Sequence, residues 1–148
     1  MTTEDRGFRP GAAVEGAAAQ LVPVRDDGDI AAAILALGRL ADQVGLVPTA
    51  RASLLTAASE LATNILKYAG RGMLKIRVVD SRQQRGVEVI AEDHGPGIAD
   101  LRQAMQDHYS AAGTLGLGLP GARRLMDEFH LWSEPGRGTR VTVRKWKA

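Results

Sequence analysis

With 148 residues the chain is sized for one domain, and it contains no cysteine, which excludes disulfides and thiolate metal sites. The formal charge is +2 with the basic residues scattered, and aromatics make up 4%, so the chain has neither the basic stripe nor the stacking platform of a nucleic-acid binder. No stretch has the length of a membrane span, and the lack of cysteine fits a reducing, cytoplasmic location.

Residues 1–20 are polar or alanine-rich and bury too little to offset their ordering, so they read as a mobile N-terminal arm before a domain spanning 21–148. The arm lacks the apolar stretch of a signal peptide. Leu21–Val22–Pro23–Val24–Arg25 reads as a short strand, at an edge because Pro23 has no N–H to give a ladder. Asp29 is placed to cap a helix over about Ile30–Val44, with Ile30, Ile34, Leu37 and Val44 as its apolar stripe and Gly45 as its stop. A second helix is expected over about Thr49–Ala69, ending at Gly70. Its stripe is Leu54, Ala58, Leu61, Ile65 and Tyr68.

The period then changes. Met73–Asp80 and Val87–Asp93 are rich in β-branched residues and flank a polar stretch, which predicts a hairpin. The segment 98–115 loses the pattern, apart from a short helix over Leu101–Met105. Leu117–Phe129 reads as helix, and His130–Ser133 with Thr139–Trp146 as a last hairpin around Glu134–Gly138. This order predicts an α+β fold: a two-layer α/β sandwich with a mixed, mostly antiparallel sheet and three main helices on one face.

Four short segments carry the chemistry. Glu60, Asn64 and Lys67 stand at i, i+4 and i+7 of the second helix, so they share a face at the margin of the core stripe. Taken alone they are an ordinary solvated row with a Glu–Lys pair. In a cavity, Asn64 offers a neutral oxygen to Mg²⁺, Glu60 a general base and Lys67 a charge for phosphate. Asp93–His94–Gly95–Pro96–Gly97 closes a strand. Its carboxylate only accepts hydrogen bonds, which suits the exocyclic amine of adenine and disfavours the carbonyl of guanine, and Gly95 and Gly97 would let the backbone approach a flat base.

Gly116–Leu117–Gly118–Leu119 precedes a helix whose free amides form an anion site. It is not a P-loop, and the strand that a dinucleotide-binding GxGxxG needs does not precede it. Gly136–Arg137–Gly138–Thr139 is a hairpin turn that brings a threonine hydroxyl to the base. His94, His108 and His130 lack metal-ligand spacing. Asp107, His108 and Ser110 are sequence neighbours, which rarely assemble a triad.

In order, these segments resemble the N box and three glycine boxes of the GHKL, or Bergerat-fold, ATPases, over about residues 21–148. The resemblance implies a Mg·ATP site with Glu60 as catalytic base and Asn64 on the metal. Lys67, Asp93, Gly95, Gly97, Gly116, Leu117, Gly118, Leu119 and Thr139 would complete the nucleotide site, with 98–115 as the lid. The short span points away from sensor kinases and from members with transducer domains.

What remains is similar to the stand-alone serine/threonine switch kinases of bacterial partner switching, the stressosome type above all. Such a kinase would phosphorylate STAS-domain scaffold or antagonist proteins and activate a PP2C-type phosphatase when released. The anti-sigma factor kinases, which sequester a sigma factor and phosphorylate its STAS antagonist, are the alternative. His108 stands where the family pattern leads one to expect glycine, and the N-terminal arm is longer than the family minimum.

Overall fold

The computed structural model describes residues 2–6, 15–82, 84–106 and 118–147. In chain order it has strands β1 (Thr2–Arg6), β2 (Glu15–Gly16) and β3 (Gln20–Val24), then helices α1 (Asp27–Val44) and α2 (Pro48–Ala69). A hairpin of β4 (Gly72–Ser81) and β5 (Gln84–Asp93) follows, then α3 (Leu101–Ala104) and α4 (Gly118–Leu125). The last elements are β6 (Glu128–Glu134) and β7 (Gly138–Trp146). The strands form one sheet in the order β1–β6–β7–β5–β4, with β2 and β3 both pairing with β4. Every described pairing is antiparallel. The α+β sandwich expected from the sequence is the architecture found.

Alternation sets the two faces. Val22 and Val24 of β3, Leu74 and Ile76 of β4, Val87 and Val89 of β5, Phe129 and Leu131 of β6 and Val141 and Val143 of β7 are buried in a single core. Leu37 and Ala41 of α1, Leu54, Ala58, Leu61 and Ile65 of α2, and Ala122 of α4 close that core from the other side. Burying each large side chain contributes about 1.5–3 kcal/mol.

The opposite face of the sheet carries charge. Glu88, whose side chain is 2% exposed, lies between Arg77 at 2.8 Å and Arg144 at 2.7 Å, and Arg144 also reaches Glu128 at 3.1 Å. These residues stand directly opposite one another across β4, β5, β7 and β6. The row therefore ties four strands together through side chains.

Helix ends depart from the sequence reading where two candidates compete. Asp26, not Asp29, caps α1, accepting the Asp29 N–H at 2.9 Å. Asp29 instead turns back to the N–H of Arg25, the residue before the cap, at 2.9 Å, and the helix starts earlier than expected. Gly45 and Gly70 end α1 and α2 as expected, both with positive φ.

Tyr68 is 50% exposed rather than core, because the last turn of α2 borders a cavity instead of the sheet. The helix expected through Phe129 stops at Leu125, and β6 begins at Glu128, where it gains a cross-strand partner in Arg144. Within the expected arm, Thr2–Arg6 pair with β6 and Glu15–Gly16 with β4. Ladder hydrogen bonds at open sheet edges order backbone without requiring buried side chains.

Candidate functional site

The polar face of α2 opens on a cavity of about 410 Å³, within the range of small-molecule sites. Its walls are α2, the end of β5 with the loop after it, α3, the start of α4 and the start of β7. Glu60, Asn64, Lys67, Asp93, Gly97, Gly118, Leu119 and Thr139 all line it, so residues from all four sequence segments meet in one place. Ala91, Ile98 and Val141 supply its apolar surface.

One end is built around Asp93. Strand register places Asp93 opposite Thr139, and its carboxylate accepts the N–H of Gly95 at 2.9 Å together with the backbone N–H of Thr139. Burial raises its pKa above the ordinary value of 3.8, against the lowering effect of those two amides and of His94. A half-buried carboxylate held this way presents acceptors to the cavity. The chain around it is packed backbone on backbone: a Cβ on Gly138 would run into the Asp93 carbonyl, and one on Gly97 into that of Glu134. Both glycines have positive φ. The Gly136 N–H donates to the Pro96 carbonyl at 2.8 Å, joining the same two loops.

Gly95 serves a different purpose from the one its motif implies. It is not among the cavity-lining residues, and a Cβ there would lie 2.6 Å from the Cβ of Ala69. The missing side chain lets the loop rest on the end of α2.

The other end joins α2 to α4. Glu60 and Asn64 are half-buried on the cavity face of α2, and the Glu60 carboxylate accepts the Gly118 N–H at 3.3 Å. Lys67 is exposed, its ammonium 5.2 Å from the ring centre of Tyr68. Gly116 and Leu117 lie outside the described residues, as does the whole of the expected lid beyond Gln106, His108 included.

Two contributors escaped the sequence reading. Tyr68 was assigned to the core on its spacing, yet it stands at the cavity rim. Ser133 is fully buried beneath Thr139, its hydroxyl within hydrogen-bonding distance of three groups. The only signal for it was the hairpin register that sets it opposite Thr139.

The model of the histidine kinase-like ATPase domain matches residues 22–145 of the chain. The chain belongs to this family. As a histidine kinase-like ATPase domain it uses ATP, and its relatives are protein kinases and anti-sigma factors. It is 48% identical over 126 residues to the serine/threonine-protein kinase RsbT of Bacillus subtilis (strain 168), covering 84% of this chain and 94% of that protein. It is 33% identical over 101 residues to the anti-sigma F factor of Thermoanaerobacter sp. (strain X514), covering 64% and 69% of the two chains. The anti-sigma F factor of Caldanaerobacter subterraneus subsp. tengcongensis (strain DSM 15242 / JCM 11007 / NBRC 100824 / MB4) is 34% identical over 101 residues, with the same 64% and 69% coverage. This ATPase domain is thus an enzyme of the serine/threonine-kinase branch of its family. Among the described residues no helix is long and apolar enough to cross a membrane.

Proposed function

We propose that this chain is a serine/threonine kinase of a bacterial partner-switching module, acting in the cytoplasm on STAS-domain scaffold or antagonist proteins and stimulating a PP2C-type phosphatase when released. The observation that carries the reading is the cavity itself. An acceptor-only carboxylate, Asp93, stands at one end, and a general base, Glu60, stands at the other beside an amide at the start of α4. Adenine brings an amine to the first end, and phosphate finds N–H groups at the second.

Asn64 fits magnesium, since that ion needs only one or two protein ligands besides phosphate oxygens and water. Bound there, it would neutralise phosphate charge. Glu60 takes the proton of the acceptor serine or threonine as that oxygen attacks the γ-phosphorus. The bond to the β–γ bridging oxygen breaks, and ADP leaves with its electron pair. Positioning and charge stabilisation supply most of the rate in such transfers. Lys67, at the cavity mouth, adds positive charge near the phosphates.

The extent of the likeness favours the switch kinase over an anti-sigma factor: 94% of RsbT is covered at 48% identity, against 69% of the first anti-sigma F factor at 33%. The test is incubation with labelled ATP, Mg²⁺ and a cognate STAS protein, followed by phosphosite mapping. Label on a STAS serine or threonine supports the kinase reading, and release of free phosphate alone refutes it. A pull-down in ATP separates the two kinase variants: a retained sigma factor favours the anti-sigma reading, and a stimulated phosphatase the switch kinase.

A further inference from the structure

Ser133 does not line this cavity, yet its hydroxyl lies 2.9 Å from that of Thr139, which does. Its hydroxyl has one proton to give and two lone pairs. The Ile98 N–H donates to it at 2.7 Å, which fills one lone pair. The carbonyl of Gly138 lies 3.0 Å away and can only accept, so it takes the single Ser133 proton. The third neighbour, Thr139 Oγ1 at 2.9 Å, must then donate its own proton to Ser133. The serine is fully buried, so water cannot rearrange this pattern. Thr139 is left facing the cavity with lone pairs only, alongside the Asp93 carboxylate. Both polar groups at this end then present acceptors to the cavity.

We propose that Ser133 is a specificity-determining positioning residue: by holding the Thr139 hydroxyl as an acceptor, it makes the base end admit a purine amine and reject a purine carbonyl. This rests on the reading of the cavity as an ATP site. A site whose buried polar groups are committed in one direction discriminates strongly, because the wrong base leaves them unpaired. Without the Ser133 hydroxyl, Thr139 is free to turn and donate to a carbonyl oxygen.

The test compares the dissociation constants of ATP and inosine triphosphate for the full chain, measured by calorimetry. Hypoxanthine has a carbonyl in place of adenine's amine and an N1–H where adenine has an acceptor, so Thr139→Val, which removes the hydroxyl facing the ring edge, serves as the control for how much of the ratio passes through Thr139. Wild-type protein should prefer ATP, and Ser133→Ala should narrow that preference by about tenfold. Thr139→Val should narrow it as well, and adding Ser133→Ala to Thr139→Val should change the ratio no further. If Ser133 only supports the fold, both nucleotides weaken by the same factor and the ratio stays at its wild-type value, which overturns the proposal. Should Ser133→Ala lose its thermal transition, the near-isosteric Ser133→Cys serves, with the same expected change in ratio. Wild-type protein that binds ATP with a ratio insensitive to both variants refutes this inference alone. Wild-type protein that binds no ATP refutes the inference and the ATP reading together.

Discussion

Replacing Asp93 by asparagine gives the sharpest test of base recognition. The carboxylate takes two backbone N–H groups, those of Gly95 and Thr139, and still faces the cavity with acceptor capacity. Asparagine keeps the shape but has one oxygen, so its NH₂ group must face either a backbone donor or the ligand's amine. A hydrogen bond to a charged group contributes about 1.5–3 kcal/mol, so losing the one to the amine should weaken ATP by about 10- to 150-fold.

The pH dependence adds a second, independent readout. Burial raises the Asp93 pKa above 3.8 in the free protein, and the ionised form is the stronger acceptor for the amine. ATP affinity is therefore full above that raised value and falls as pH drops through it, beginning at a higher pH than an ordinary carboxylate would give. Without nucleotide the sign reverses. A carboxyl whose folded pKa is raised favours the fold most below its unfolded pKa, and that contribution is lost as pH rises through the folded value. Calorimetric titration of wild-type and Asp93→Asn protein across the acid range measures both effects. Equal ATP affinity in the two proteins, or an acid-side loss that persists unchanged in the variant, would refute the assignment.

Glu60→Gln should retain ATP binding and lower phosphoryl transfer to a STAS partner by at least about 100-fold, followed by phosphosite labelling; transfer at the wild-type rate would remove the base assignment. Asn64→Ala should abolish the magnesium-dependent part of ATP affinity, read from titrations with Mg²⁺ and with EDTA; an unchanged magnesium effect would sink the metal role. Glu88→Ala leaves Arg77 and Arg144 without their shared buried carboxylate and should cost about 3 kcal/mol of stability in urea unfolding. A loss under about 0.5 kcal/mol, the range of ordinary surface changes, would show that the charged row contributes nothing to the fold.

Periodicity made α2 legible because one face of it meets the core along most of its length. The same rule misplaced Tyr68, since a spacing of three after Ile65 reports direction around the helix, not whether a sheet is still there to pack on. The start of α1 departs from the Asp29 cap for a local reason: Asp26 also has a capping side chain and takes the Asp29 N–H, while the Asp29 carboxylate accepts the Arg25 N–H. The boundary between α4 and β6 depends on Arg144, distant in sequence, so no local pattern could mark it. Glu60, Asn64, Asp93 and Thr139 were found because their motifs keep fixed offsets along the chain. Ser133 carries no motif. Its place in the site follows from strand register, which exists only once β6 and β7 have paired.

The two ends of the cavity are held by different physics, and that bears on how they work. The Asp93 end is fixed by backbone packed against backbone, with Gly97 and Gly138 placed where no side chain fits. Such packing admits little adjustment, which suits reading a flat ring by its edge. At the other end a hydrogen bond from the Gly118 N–H to Glu60 joins α4 to α2. A carboxylate resting on an amide at a helix start is itself an anion in the position that phosphate would favour. Glu60 holds that amide through Oε2, and its Oε1 keeps lone pairs of its own. On the proposed kinase reading, a phosphate that took the Gly118 amide would leave both Glu60 oxygens to the acceptor hydroxyl.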